Sequence, residues 1–259
     1  MSMVERLEAE RFHSFTESGY SRPARVTCSR SDGSKVDAYV KFMGGIRNRE
    51  FGLSAELLCS LLARELALAV PTPFIVNLSS EFLAGVPKAA QDLVKRSLGL
   101  NFASESAPPG FSVVPPEPRV PLALRTTAAE IVAFDVIIQN YDRKSDNSNL
   151  LWDRAEILMI DHEGVLRPVV DKASPSLNSL ELDRFYDHVF YSALSRNDAE
   201  YGSLIDALGR LSESRINALL GEIPVAWQIE PDLAKVREHL LWIVENRLQV
   251  CNLIHERLS

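Results

Sequence analysis

Ten consecutive residues, Asn140-Tyr141-Asp142-Arg143-Lys144-Ser145-Asp146-Asn147-Ser148-Asn149, bring together two carboxylates, a guanidinium, an ammonium and three amides. Two hydrophobic runs follow, and then Ile160-Asp161-His162-Glu163. Asp142, Asn147 and Asp161 form a set suited to phosphoryl transfer from a nucleotide. That chemistry needs positioning and charge neutralisation more than it needs a covalent nucleophile. Mg²⁺ prefers oxygen ligands and takes one or two protein groups beside phosphates and water. Asp161 offers it a full charge and Asn147 a neutral carbonyl. Asp142 is placed to accept a hydrogen bond from an acceptor hydroxyl, and Arg143 to pair with an acid or a phosphate or to hold the loop. The plain structural alternative is an Asn/Asp-rich turn that binds its own backbone.

Several elements must position this set. Thr127-Ala-Ala-Glu130 reads as a capping box that starts a helix with Ile131, Phe134 and Ile138 on one face. Asp135, on the same helix, either orients the loop or is a surface acid. After the loop, 149–152 and 156–160 read as two short strands with Asp153-Arg154-Ala155 turning between them, a hairpin that sets Asp161 beside Asn147.

Upstream, Arg25–Ser29 reads as a strand, Ser31-Asp32-Gly33-Ser34 as a hairpin turn, and Val36, Ala38, Val40 and Phe42 as the buried face of a second strand. Lys41 lies on the opposite face, where it could reach nucleotide phosphates or simply be exposed. Gly44-Gly45 reads as a flexible joint. Leu53, Leu57, Leu58, Leu61, Leu62 and Leu66 have helical spacing over 53–68, and Glu50, Glu56 or Glu65 could pair with the strand lysine or be solvated. Strands are expected at 74–76 and 100–104, with short helical segments over 79–99. Helices are expected over 180–194, 201–211, 214–220 and 231–258.

Strands with one helix, then mainly helices, make an α+β arrangement. A Pro-rich stretch marks the boundary. The expected division is an N-terminal segment 1–22, a small antiparallel-sheet part 23–107, a connection 108–121 and a helical part 122–259. Residues 103–107, Ser104 and Glu105 among them, are placed at the hinge that would contact an adenine.

The net charge of −7 argues against a general grip on nucleic acid or an anionic membrane. No apolar run approaches the ~20 residues of a membrane span. Cys28, Cys59 and Cys251 are too scattered for a disulfide framework or a zinc motif, which suits the cytoplasm. His13, His162, His188, His239 and His255 are also scattered, without a His-x₃-His pair, which leaves a metal hydrolase as a distant reading.

The gap of four residues between Asp142 and Asn147 is that of the kinase catalytic loop. The run Asn140-x-Asp142-Arg143-x-x-x-Asn147-x-Asn149-Leu150-Leu151, with Ile160-Asp161-His162-Glu163, resembles the HipA-like kinases. Lys41-Phe42 with Gly44-Gly45, Ala55-Glu56-Leu57-Leu58, Leu66–Pro71 and the late Ile223-Pro224-Val225-Ala226-Trp227 extend the resemblance over roughly residues 20–258. The resemblance implies a two-lobed protein-kinase-like fold using ATP and Mg²⁺. It gives Asp142 the role of catalytic base, Asn147 and Asp161 the metal, and Lys41 the nucleotide phosphates with Glu56 as its partner. Better-understood members phosphorylate Ser or Thr on proteins and partner with a DNA-binding antitoxin. Lys144 stands where the family often has His, and no Gly-x-Gly-x-x-Gly loop is present. A kinase acting on a small molecule or lipid head group, and a catalytically inactive nucleotide-binding module, are the alternatives.

Overall fold

In the computed structural model, residues 2–16, 21–194 and 201–258 are described. Strands β1 (Glu5–Phe15), β2 (Ala24–Ser29), β3 (Lys35–Lys41), β4 (Pro73–Leu78) and β5 (Gly99–Glu105) form a closed barrel in the order β1-β2-β3-β5-β4. The small antiparallel sheet expected from sequence is thus corrected to a barrel. Four of its pairings are antiparallel, and β1 pairs parallel with β4 to close it. Closure removes the free edges that an open sheet would leave unpaired.

The closing strand comes from the N-terminal segment 1–22, of which residues 1 and 17–20 lie outside the described residues. Glu5-Arg-Leu-Glu-Ala-Glu-Arg has the charge density of a solvated helix, and only Leu7 and Ala9 of β1 are buried. Partners on both edges, rather than its own pattern, make it a strand.

The period-two reading of β3 holds. Ala38, Val40 and Phe42 fill the barrel with Val26, Cys28, Phe74 and Val76, so Lys41 faces out of it. Helices α2 (Ser80–Gly85) and α3 (Lys88–Lys95) add Phe82, Ala90 and Val94 to that core. Gly44-Gly45 is a pinned turn and not a loose joint. Asn101 Oδ1 accepts from Met43 N–H (2.8 Å), Ser97 Oγ from Gly44 N–H (2.9 Å), and the Phe42 carbonyl from Gly45 N–H (2.8 Å).

The Leu-rich helix α1 (Arg49–Glu65) is buried from Phe51 to Ala63. It shares a second core with α4 (Arg125–Ile138) and with the hairpin β7 (Leu150–Trp152) and β8 (Ile157–Met159). The short strand β6 (Ser112–Val113), within the Pro-rich stretch, pairs with β7. A Cβ at Gly52 would run into the Arg47 carbonyl oxygen and crowd Ile46. Gly52→Ala gains about 1 kcal/mol in helix propensity. Overpacking against a backbone atom costs about 1–3 kcal/mol. A net loss of stability is therefore expected, read as a lower urea midpoint.

Helix α4 starts at Arg125, earlier than the Thr127 capping box predicts. Pro121 sets the entry through Leu124 N–H to its carbonyl (2.9 Å), and no side chain caps the helix. Two further expectations are corrected. The helix predicted over 180–194 is broken into 3₁₀ turns at Asn178–Leu180 and Leu182–Phe185 and a short α6 (Tyr191–Leu194), preceded by α5 (Arg167–Val170). The cause is that Val189 N–H and His188 pair with the Arg143 carbonyl and Lys144 of the polar loop. The single helix predicted over 231–258 is two, α9 (Glu230–Glu245) and α10 (Arg247–Leu258). Asn246, between them, donates both backbone N–H and side-chain Nδ2 to the Trp242 carbonyl, each at 2.9 Å. The helices expected over 201–211 and 214–220 appear as α7 (Gly202–Arg210) and α8 (Glu213–Gly221).

Among the described residues, no helix is long and apolar enough to cross a membrane. All three cysteines are buried and free. Burial pushes the Cys28 thiol up to about 12 and Cys251 to about 11, and raises Cys59 strongly. A disulfide reagent at pH 8 should titrate essentially no thiol in the native protein and all three in denaturant.

Candidate active site

Lys41 ends β3, and its side chain crosses to the helical part. Its ammonium donates to Glu56 Oε1 of α1, lies 2.5 Å from Asp161 Oδ1, and is 3.7 Å from Glu163 Oε2. Glu56 Oε1 also accepts from His162 N–H at 3.0 Å. One carboxylate oxygen thus ties the barrel strand, the Leu-rich helix and the turn after the hairpin together. Of the candidates Glu50, Glu56 and Glu65, only Glu56 bonds Lys41; Glu65 pairs with Arg215.

The charge balance is unequal. Glu56, Asp161 and Glu163 can bring their carboxylate oxygens within 4.8 Å of one another. Among the described residues, the Lys41 ammonium is the cation in ion-pair contact with all three. Burial pulls Lys41 down, but the three carboxylates outweigh it and hold the ammonium above its usual range. Burial pushes Glu56 up to about 7 and raises Glu163, in each case against the pull of Lys41. Burial also works to raise Asp161, but Lys41 outweighs it and keeps that carboxyl low. Glu163 Oε2 is buried without a hydrogen-bond partner. Asp161 has φ +63°, in the left-handed region that Asp tolerates better than most residues.

Across from this cluster lies the loop 140–149. Asp142 is exposed and accepts from Asn147 Nδ2 at 2.9 Å, which leaves the side-chain Oδ1 of Asn147, and not the backbone carbonyl that Lys144 N–H uses at 3.2 Å, for another partner. Although the residue is exposed overall, partial desolvation of its carboxyl, followed by the charge of Asp161, holds Asp142 above its usual range.

Underneath, Asp135 is a buried anchor and not a surface acid. Its carboxylate accepts from Arg143 Nε (2.6 Å), Asn140 Nδ2 (2.9 Å) and His188 Nε2 (2.9 Å). It acts through these side chains rather than by accepting loop N–H groups. Burial works to raise Asp135, but Arg143 and His188 outweigh it and hold it low. Arg143 is fully buried, and its Nη1 donates to the carbonyls of Asn149 and Ile160, the latter at 3.4 Å. The guanidinium therefore fastens the Asp142 loop to the residue before Asp161.

Ser104 and Glu105 are the last residues of β5. Ser104 stands opposite Tyr39, two residues along β3 from Lys41. Glu105 N–H is taken by the Thr72 carbonyl (2.9 Å) and Ser106 N–H by the Asp37 carbonyl (3.3 Å). The backbone donors of this stretch are thus committed to the barrel. Sequence reasoning did not single out Glu163 or His188. Glu163 follows Asp161 by two positions, and that proximity was its available signal. His188 lies 53 residues from Asp135 and carries no local signal.

A strand lysine bonded to a buried helix glutamate and to an acid after a hairpin thus sits on a mixed α/β, kinase-like fold. The chain belongs to the HipA-like kinases, whose family pattern matches residues 11–253. Its fold is similar to the crystal structure of the Helicobacter pylori proinflammatory kinase CtkA. The TM-score is 0.56 at 13% identity, over 98% of this chain and 98% of that one. The open conformation of CtTel1 aligns with a TM-score of 0.40 at 14% identity, over 96% of this chain and 12% of that one. No curated protein matches the sequence.

Proposed function

We propose that the chain transfers the γ-phosphoryl group of ATP, with Mg²⁺, to a serine or threonine hydroxyl of a protein. The observation that carries this reading is the Lys41 ammonium held by Glu56 and Asp161 together, one group each from a barrel strand, a helix and a hairpin end. The barrel part up to about residue 107 and the helical part from 122 act as two lobes joined by 108–121, with the nucleotide between them.

The residues present fit a divalent cation. The three carboxylates around one ammonium carry two excess negative charges when all are ionised, and Glu163 Oε2 is an acceptor without a donor. Asn147 and Asp161 would hold the metal, which when bound neutralises charge on the phosphates. Lys41 binds the phosphates of the nucleotide, and Glu56 keeps its ammonium in place. The base of the nucleotide lies at the end of β5, beside Ser104 and Glu105. As the acceptor oxygen bonds to the γ-phosphorus, the bond from that phosphorus to the bridging oxygen of ADP breaks. The hydroxyl proton goes to Asp142, which the Asn147 amide orients.

The test is incubation with labelled ATP and Mg²⁺, alone and with candidate protein acceptors. Label on the chain itself or on an acceptor, lost in Lys41→Met and Asp142→Asn, supports the reading. Nucleotide binding with no transfer supports an inactive binding module. Label confined to a small molecule or lipid would replace the protein acceptor. No binding and no transfer would overturn the reading.

A further inference from the structure

Two acids follow the hairpin, Asp161 and Glu163, and only the first has a role in the reaction above. The turn that carries them is fixed by the residue between them. The His162 ring is 1% exposed, lies 3.4 Å from Arg143 Nη2 and packs T-shaped against Phe134. Its N–H is held by Glu56 Oε1 at 3.0 Å, and its carbonyl accepts from Val165 N–H at 3.4 Å. With His162 turned inward, the side chains of Asp161 and Glu163 converge on the Lys41 ammonium.

Lys41 does not account for Glu163. The ammonium bonds Glu56 and Asp161, yet stops 3.7 Å from Glu163 Oε2, beyond hydrogen-bond reach. Among the described residues that oxygen has no hydrogen-bond partner, although Glu163 is only 9% exposed. A buried carboxylate oxygen without a donor carries its desolvation cost uncompensated. Glu56 is spent differently, since its Oε1 already serves both Lys41 and His162 N–H. Asp161 and Glu163 are therefore the pair with oxygens to offer, and these lie within 4.8 Å of each other. Ligand oxygens at about 2.1 Å around an octahedral Mg²⁺ lie roughly 3–4 Å apart, so a small side-chain adjustment would join the two acids on one ion.

We infer that Glu163 is a third protein ligand of the divalent cation, bound through Oε2 beside Asp161, and that this pair holds the cation in the absence of nucleotide. The inference rests on the phosphotransfer reading above for what the cation does. A site with one carboxylate depends on phosphate oxygens to complete it, whereas two carboxylates give the ion charged ligands from the chain alone. One divalent ion also cancels the two excess negative charges that three ionised carboxylates leave around Lys41.

The experiment titrates nucleotide-free wild type and Glu163→Gln with Mn²⁺, which takes the same oxygen ligands as Mg²⁺. Free ion is read by electron paramagnetic resonance, Mg²⁺ is the competitor, and melting is followed with and without Mn²⁺. Wild type should bind Mn²⁺ saturably, release it to Mg²⁺ and melt higher in its presence. Glu163→Gln should bind it about tenfold more weakly or worse, and its melting temperature should no longer rise. If Glu163→Gln does not fold, Glu163→Asp replaces it, with its carboxylate one methylene short of the cluster and the same loss expected. A folded variant within twofold of wild type in Mn²⁺ affinity would overturn the inference and leave the phosphotransfer reading standing. Wild-type binding of Mn²⁺ only when nucleotide is added would overturn it in the same way. Cation binding that needs Glu163, in a chain that neither binds nucleotide nor transfers phosphate, would overturn the phosphotransfer reading and leave the cation site.

Discussion

Asp161→Asn is expected to lower kcat by at least about 10³-fold while leaving the protein folded. The substitution removes a full negative charge from the position proposed to hold the metal, and an amide cannot replace that charge toward a divalent cation. Asn is the appropriate replacement because it also tolerates the left-handed backbone that Asp161 adopts at φ +63°. Ala there would add backbone strain and confuse the result. Lys41 keeps Glu56 and Glu163 as partners, so its placement should survive. The carboxylate is about a third exposed, with a side-chain accessibility of 31%, so the lost ion pair should cost little stability. Turnover assays with a parallel melting curve check this. Retained activity would remove Asp161 from the metal role and turn attention to Glu163.

The second large effect is on stability. Arg143→Ala should destabilise the protein by about 3–5 kcal/mol, because it leaves the Asp135 carboxylate buried without its guanidinium. At roughly 2–4 °C per kcal/mol for a domain of this size, the midpoint should fall by about 6–20 °C. More is lost than one ion pair, since the Asn149 and Ile160 carbonyls also lose their donor. His188 and Asn140 remain on Asp135, but neither carries a permanent charge. Arg143→Lys should recover only part of the loss, because one ammonium cannot span a carboxylate and two separate carbonyls. The Asp135→Ala, Arg143→Ala double variant should be less destabilised than the sum of the singles, because the unpaired charge is gone. Additive losses would show that the two residues act separately.

The two predictions divide the site into parts that differ in how legible they were. Asp142, Asn147 and Asp161 could be singled out by residue type and spacing, whereas Lys41, left open between phosphate contact and exposure by its own strand, took its proposed role from the family resemblance. Val36, Ala38, Val40 and Phe42 fixed the face of Lys41, since a strand alternates its side chains and the apolar set must go inward. Glu56 could be proposed but not distinguished from Glu50 and Glu65 until the helix was docked.

Other features follow from tertiary contacts, and no local pattern encodes them. Glu5–Phe15 is a strand because β2 and β4 offer it partners on both sides, against the helical look of its charges. Residues 178–190 are not a regular helix because Arg143 and Asp135 draw Val189 and His188 to the loop. Arg143 itself was ambiguous in sequence, able to meet a phosphate, an acid or a backbone. Its complete burial against Asp135 excludes the phosphate and makes it the clasp of the loop. Composition and spacing thus determined which residues could do phosphoryl chemistry and in what order they come. Only the packed structure decided which charges are buried against which. That outcome depends on desolvation and on contacts between residues 15 to 120 positions apart, which a local pattern does not record.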